Sequence, residues 1–380
     1  MEQKKPMGLY IHIPFCNRKC DYCDFVSYSM DRRAQQLYLD ALFTEIDMVK
    51  RQYQDESFNS IFIGGGTPSI VYEGFIASLT RKLFSSFHFE DDTEVTIEVN
   101  PSSFTKEKFF EYVEAGINRI SVGVQCLDKK LLADNGRIQS VENVKETFKM
   151  LKDSEFTNVN SDIMIGLPGQ TIKSIMETVK FILKHHIKHV SVYSLQIEKH
   201  TLLYDKWRRG KIQPISEKET LAIYNKVYKM LKKHGFKRYE VSNYAKPGFE
   251  CRHNLKYWEN VDYLGLGVSA HSYIDGYRYF NTKRLDTYID AMQDGKTAVY
   301  KKEYVSIDTA RTERIMLSLR TIKGLDLDAF KQEFNEDLLM SKADKIKKLR
   351  EMGMIVIEDG FLKITDDYFY VSNSIIVELI

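Results

Sequence analysis

Six short runs rich in Val and Ile, separated by longer amphipathic stretches, occupy roughly the first half of the chain, and this alternation restricts the fold more than any other feature. The runs are 9–14 (LYIHIP), 60–64 (SIFIG), 94–99 (EVTIEV), 119–124 (RISVGV), 158–165 (NVNSDIMI) and 190–197 (VSVYSLQI). Each is bounded by Gly, Pro or polar residues, as strands are. The segments 33–53, 72–84, 105–114, 141–152 and 172–186 between them have helical periodicity. Strands that alternate with helices predict a parallel α/β sheet with right-handed crossovers. Its natural closure is a partial or full β/α barrel.

With 380 residues the chain is too long for one ordinary core, and the pattern changes after residue 197. One long helix is expected over 217–233, ended by His234-Gly235. Residues 239–281 are rich in aromatics and Gly and have no steady period. Helices are expected again at 312–321, 328–335 and 341–352, followed by strands 355–358 and 361–364 around Asp359-Gly360. The expected organisation is a barrel with its following helix (1–235), an aromatic-rich connector (236–304) and a small helical, winged-helix-like domain (305–380).

Charge excludes some functions. With 55 basic and 53 acidic residues the formal charge is +2, and no basic stripe for nucleic acid is present. No run reaches the roughly 18–20 apolar residues that a spanning helix needs, and MEQKKPMGLYIHIPFC lacks the apolar core of a signal peptide. A cytoplasmic protein is expected.

The chemistry centres on cysteine. Three of five cysteines lie in Cys16-Asn-Arg-Lys-Cys20-Asp-Tyr-Cys23, directly after the first strand. An odd count clustered this way does not read as a disulfide framework. Three thiolates at this spacing can hold three corners of a cubane cluster and leave one iron open to a small chelating molecule. A zinc site completed by His12 or Cys126 is the alternative, although no second Cys or His couple accompanies the first.

The motif Cys-x-x-x-Cys-x-x-Cys after a first strand resembles the signature of the radical S-adenosylmethionine (SAM) superfamily. That resemblance implies a [4Fe–4S] cluster on Cys16, Cys20 and Cys23, with SAM on the open iron. Further matches follow successive strands, where a β/α barrel places its working residues. They are Gly64-Gly65-Gly66-Thr67-Pro68, Glu98 in TIEVNP, Gln125 in SVGVQ, Arg137 in NGR and Asp162 in SDIMIGLPGQ. Taken singly, the glycines are also compatible with a plain turn, and the charged residues with a structural pair.

Together, LYIHIPFCNRKCDYCDF, FIGGGTPS, TIEVNP, ISVGVQ and SDIMIGLPGQ resemble the oxygen-independent coproporphyrinogen III oxidase group across essentially the whole chain. By this resemblance Tyr10, Gly65 and Glu98 would contact cluster-bound SAM. Tyr22, Gly66, Thr67, Gln125, Arg137 and Asp162 match further SAM-associated positions, and Gln196 aligns less securely. Two departures point to the heme-chaperone branch of that group: Phe25 stands where the oxidase has a fourth cysteine, and only about eight residues precede the first strand.

Cys251-Arg-His253-Asn254-Leu-Lys-Tyr257-Trp258 resembles the HNxxYW signature of that branch, which implies His253, Tyr257 and Trp258 as heme contacts. An imidazole among flat aromatics suits heme. The same residues also suit an aromatic loop packed on the barrel. His271 and Cys251 are further candidate ligands. The resemblance implies a heme-accepting partner protein, an electron donor for the cluster, peripheral contact with membrane-bound acceptors, and a monomer or homodimer. Two rivals are radical decarboxylation of coproporphyrinogen III and SAM-dependent RNA modification, the latter disfavoured by charge.

Overall fold

The computed structural model describes residues 5–29 and 31–380. The six expected strands form as β1 (Met7–Ile13), β2 (Ser57–Gly65), β3 (His88–Val99), β4 (Arg119–Gln125), β5 (Val159–Ile165) and β6 (His189–Ser194). They pair in parallel in sequence order. Helices Arg32–Val49, Phe75–Ser86, Lys106–Glu114, Val141–Asp153 and Ile172–Lys184 make the crossovers.

The two faces of this sheet differ in chemistry, because successive side chains point to opposite sides. Leu9, Ile11 and Ile13, with Ile61, Ile63, Ile97, Ile120, Val122, Ile163 and Val190, are buried in one apolar core with the helices. The alternate positions carry Tyr10, His12, Thr96, Glu98, Ser121, Asn160, Asp162 and Ser191. A helix-covered face that is apolar and an opposite face that is polar describe a barrel wall built around a polar ligand.

Residues 236–304, expected as an aromatic-rich connector, extend the sheet at both edges. After helix Glu217–Lys233, capped as expected by His234 with Gly235 at φ +78°, come β7 (Lys237–Arg238) and β8 (Asn243–Ala245). β8 pairs antiparallel with β6. Then β9 (Tyr263–Leu266) pairs parallel with β1, and β10 (His271–Ile274), β11 (Tyr277–Asn281) and β12 (Val299–Tyr304) continue outward from it. The result is one twelve-stranded sheet in the order β12-β11-β10-β9-β1-β2-β3-β4-β5-β6-β8-β7. It is open: β1 and β6 each pair with a strand from beyond residue 235 instead of with each other, so the barrel stays partial.

The C-terminal segment has its own core of Ile315, Leu319, Phe330, Leu349, Leu362 and Leu379 among others. Helices Ile307–Ser318, Leu327–Phe334 and Ala343–Glu351 pack on the hairpin β14 (Ile355–Glu358) and β15 (Phe361–Ile364), with β13 (Leu325–Asp326) alongside. The hairpin matches the expected strands residue for residue. Among the described residues, no helix is long and apolar enough to cross a membrane.

Candidate functional site

The carboxyl ends of β1–β6 open into a cavity of about 590 Å³. Cys16, Cys20 and Cys23 all line it, and none is in a disulfide. Strand β1 delivers the loop: Phe15 and Tyr28 form an isolated bridge, and Cys16 N–H donates to the Tyr28 carbonyl at 3.0 Å. The Cys16 thiol lies 3.4 Å from the Thr67 hydroxyl. Burial, with Cys20 and Cys16 nearby, pushes the Cys23 thiol up to about 11. Burial therefore opposes ionisation of the Cys23 thiol, a cost that coordination to iron would reverse.

The glycine loop after β2 approaches this site so closely that side chains would not fit. Gly65 has φ +109°, and a Cβ there would meet His12 Nδ1 at 2.5 Å. At Gly66 a Cβ would sit 2.7 Å from the Phe15 carbonyl oxygen. Gly66 and Thr67 N–H groups donate to Ile13 and Phe15, so the loop is laced to the end of β1.

The remaining wall is acidic and basic in turn. Glu98 accepts a hydrogen bond from Gly65 N–H at 3.1 Å, and burial, reinforced by Asp162, raises its carboxyl to about 8. Asp162 is held by Ser121 Oγ and Asn160 Nδ2, each at 2.8 Å, and burial raises it as well. Gln125 reaches the cavity from a left-handed residue, φ +64°, at an irregularity in β4. Such a conformation is uncommon for Gln, and residues held in it cluster at binding sites.

Arg137 is half-buried in the cavity wall. It donates to the Gly123 carbonyl at 2.8 Å, to Gln139, and to the Cys20 sulfur at 3.7 Å. Burial opposes its charge, yet Tyr22 and Cys20 hold it above the usual arginine range. The Tyr22 hydroxyl and Arg137 Nε are buried without hydrogen-bond partners. A buried guanidinium and an orphaned hydroxyl beside three thiols are what an anionic iron–sulfur cluster and a polar ligand would satisfy.

Tyr10 does not line the cavity. Its hydroxyl lies 3.0 Å from His12 Nδ1, and its ring stacks on Phe62. The fourth ligands of the zinc alternative are also turned away. His12 Nε2 is 3.1 Å from the Val26 carbonyl and burial lowers its pKa to about 4, while Cys126 is buried in a small apolar cluster with Leu131, Leu132, Met164 and Leu167. No group of three or more His, Cys, Asp or Glu poised round a single ion exists among the described residues. The three cysteines line one cavity.

His253, Tyr257 and Trp258 lie on helix Arg252–Trp258, which closes the opposite end of the barrel. His253 is fully buried, with Ser60 Oγ 3.0 Å from Nδ1 and the Tyr257 hydroxyl 2.9 Å from Nε2. Burial lowers its pKa to about 3. Glu94 accepts from Arg252 and His253 N–H and from the Cys251 thiol, which fixes the helix start. Both ring nitrogens of His253 are thus engaged within the protein, and Cys251 is fully buried with it. His271, by contrast, is exposed on β10.

Sequence reasoning missed Tyr193 and Phe25 as cavity residues. The strand period could have found Tyr193, two places after the inward Ser191. Gln196 does line the cavity.

The radical SAM superfamily model matches residues 10–182, and the HemN C-terminal domain model matches 305–367. A curated relative from Lactococcus lactis subsp. lactis, heme chaperone HemW, is 31% identical over 98% of this chain and 97% of its own length. The heme chaperone HemW of Bacillus subtilis is 32% identical over 96% and 97%. In fold the chain is similar to the Escherichia coli radical SAM enzyme coproporphyrinogen III oxidase, with TM-score 0.86 and 24% identity over 99% of this chain and 90% of that one.

Proposed function

The chain belongs to the heme chaperone HemW family of the radical SAM superfamily, and from that premise we propose that it binds heme and passes it to acceptor proteins. The observation that carries this reading is the end-to-end relatedness to heme chaperones, over more than nine-tenths of both chains.

The family implies a [4Fe–4S] cluster and SAM, and the cavity residues fit both. Cys16, Cys20 and Cys23 would hold the cluster, with Arg137 balancing thiolate charge beside Cys20. When bound, cluster and SAM together supply one-electron reductive cleavage to a 5′-deoxyadenosyl radical. Gly65, Gly66 and Thr67 present backbone and hydroxyl groups to SAM. Glu98, Gln125 and Asp162 offer acceptors from three neighbouring strands, and Tyr22 and Tyr10 support the wall. An electron donor and a heme-accepting protein are the expected partners, in the cytoplasm. The sheet and its additions (1–304) would hold the cofactors, leaving 305–380 to shape the rim and meet an acceptor.

The test is anaerobic reconstitution with iron and sulfide, a heme titration, and then mixing with a heme-free acceptor such as apomyoglobin. A saturable Soret band that moves to the acceptor supports the chaperone. No specific heme binding, together with turnover of coproporphyrinogen III to protoporphyrinogen IX, would replace this reading with the oxidase.

A further inference from the structure

The inner face of the sheet does not end at the cavity. It continues past β1 and β9 onto β10, β11 and β12, where it carries a second group of side chains facing away from the helix-covered core. His271 and Phe280 are cross-strand partners, and their rings stack at 4.9 Å with 20° between planes. Tyr300, 74% exposed, packs against Phe280 at 5.7 Å. His271 is exposed, and no side-chain hydrogen bond engages its ring nitrogens among the described residues, unlike those of His12, His189 and His253.

Cations flank this surface. Lys283 and Arg278 are close enough to His271 to lower its pKa alongside burial. Arg278 is committed to Glu313 by two hydrogen bonds, whereas Lys283 is exposed. The patch also adjoins the cysteine loop. The Lys283 carbonyl accepts from the Tyr28 hydroxyl at 2.7 Å, and His12, which holds the Val26 carbonyl of that loop, is within electrostatic reach of His271.

We propose that this face is the heme site, with His271 as axial ligand, Phe280 and Tyr300 as the apolar platform and Lys283 as the partner of a heme propionate. The inference rests on the heme-chaperone reading and assigns its cargo to a place. The imidazole stacks on Phe280, and neither ring nitrogen is taken by a side-chain hydrogen bond among the described residues, so one can reach an iron. A porphyrin lying over the sheet covers exposed aromatic surface and puts its carboxylates beside a cation, the combination of apolar area and few polar anchors that ligand sites use. It also sets the cargo at the rim of the cluster cavity, where an acceptor can reach it.

The experiment is a ferric heme titration of the reconstituted full chain, followed by Soret position and electron paramagnetic resonance, for wild type, His271→Ala, His271→Gln and Lys283→Glu. His88→Ala, at an exposed histidine on the far end of β3, is the control and is expected to match wild type. Both His271 variants are expected to lose the imidazole-ligated spectrum and to bind about tenfold more weakly, with added imidazole restoring the spectrum of His271→Ala. Lys283→Glu is expected to weaken binding severalfold with the spectrum unchanged. Wild-type affinity and spectrum in both His271 variants would overturn the site while leaving the chaperone reading standing. Absence of heme binding by the wild type would instead overturn that reading and the site with it.

Discussion

Cys20 is the thiol next to Arg137, so Cys20→Ala should remove the broad cluster absorbance after reconstitution and leave the far-ultraviolet spectrum unchanged. Persistence of a full cluster would exclude Cys20 as a ligand. Glu98 titrates at about 8 in the folded chain because of burial and Asp162. The folded protein then keeps a proton that the unfolded chain releases at ordinary carboxylate pH. Ligand-free stability should therefore fall as pH rises from about 5 to about 8. Glu98→Gln should flatten that slope in thermal melts, and an equal slope in both proteins would refute the assignment. His253 poses the opposite case: a buried imidazole satisfied at both nitrogens. His253→Ala should cost about 2–4 kcal/mol in urea unfolding, with heme affinity retained. Loss of heme binding without loss of stability would return His253 to the heme site.

Elements set how closely backbone approaches ligand. The loop after β2 works because Gly66 has no side chain, and Gly66→Ala would press a Cβ against Phe15 O. It should weaken SAM binding about tenfold or more by calorimetry, and unchanged affinity would mean that the loop can move aside. The same scale explains what the sequence disclosed. Strands β1–β6 were legible because Val and Ile alternate with polar residues over five or more positions, and the cysteine spacing marked the loop after β1 at once. Strands β7–β12 were not. Lys237–Arg238 and Asn243–Ala245 are too short for a period, and β11 reads YRYFN with aromatics on both faces. They are strands because neighbouring edges pair with them, which is tertiary information. The HNxxYW helix shows the same limit: an imidazole among aromatics reads alike as ligand or plug, and the partners Ser60, Glu94 and Tyr257 come from segments distant in sequence or from tertiary packing.

At the scale of the whole molecule, the main core and the C-terminal core meet along a seam of hydrogen bonds and ring contacts. Arg238 at the barrel edge is buried, donates to Tyr224 and Asp366, and lies over the Phe369 ring at 4.0 Å. Glu240 and Thr321 form a bridge between the two parts. Arg238→Ala should loosen the C-terminal domain by about 1–2 kcal/mol, seen as faster proteolysis near residue 305 with the cluster intact. The open sheet gives this design its logic. A closed barrel would have ended at β1 and β6, whereas the extension through β9 to β12 adds a surface next to the cluster cavity and leaves the cavity itself unobstructed. The central claim, that this radical SAM protein carries heme, is tested most directly by transfer of heme from the loaded, reconstituted chain to an apo-acceptor, followed by the Soret band. Stoichiometric loading is expected, with transfer faster than from an equal concentration of heme held by a non-specific carrier such as albumin. Loading that never saturates, or heme that does not leave for the acceptor, would contradict it.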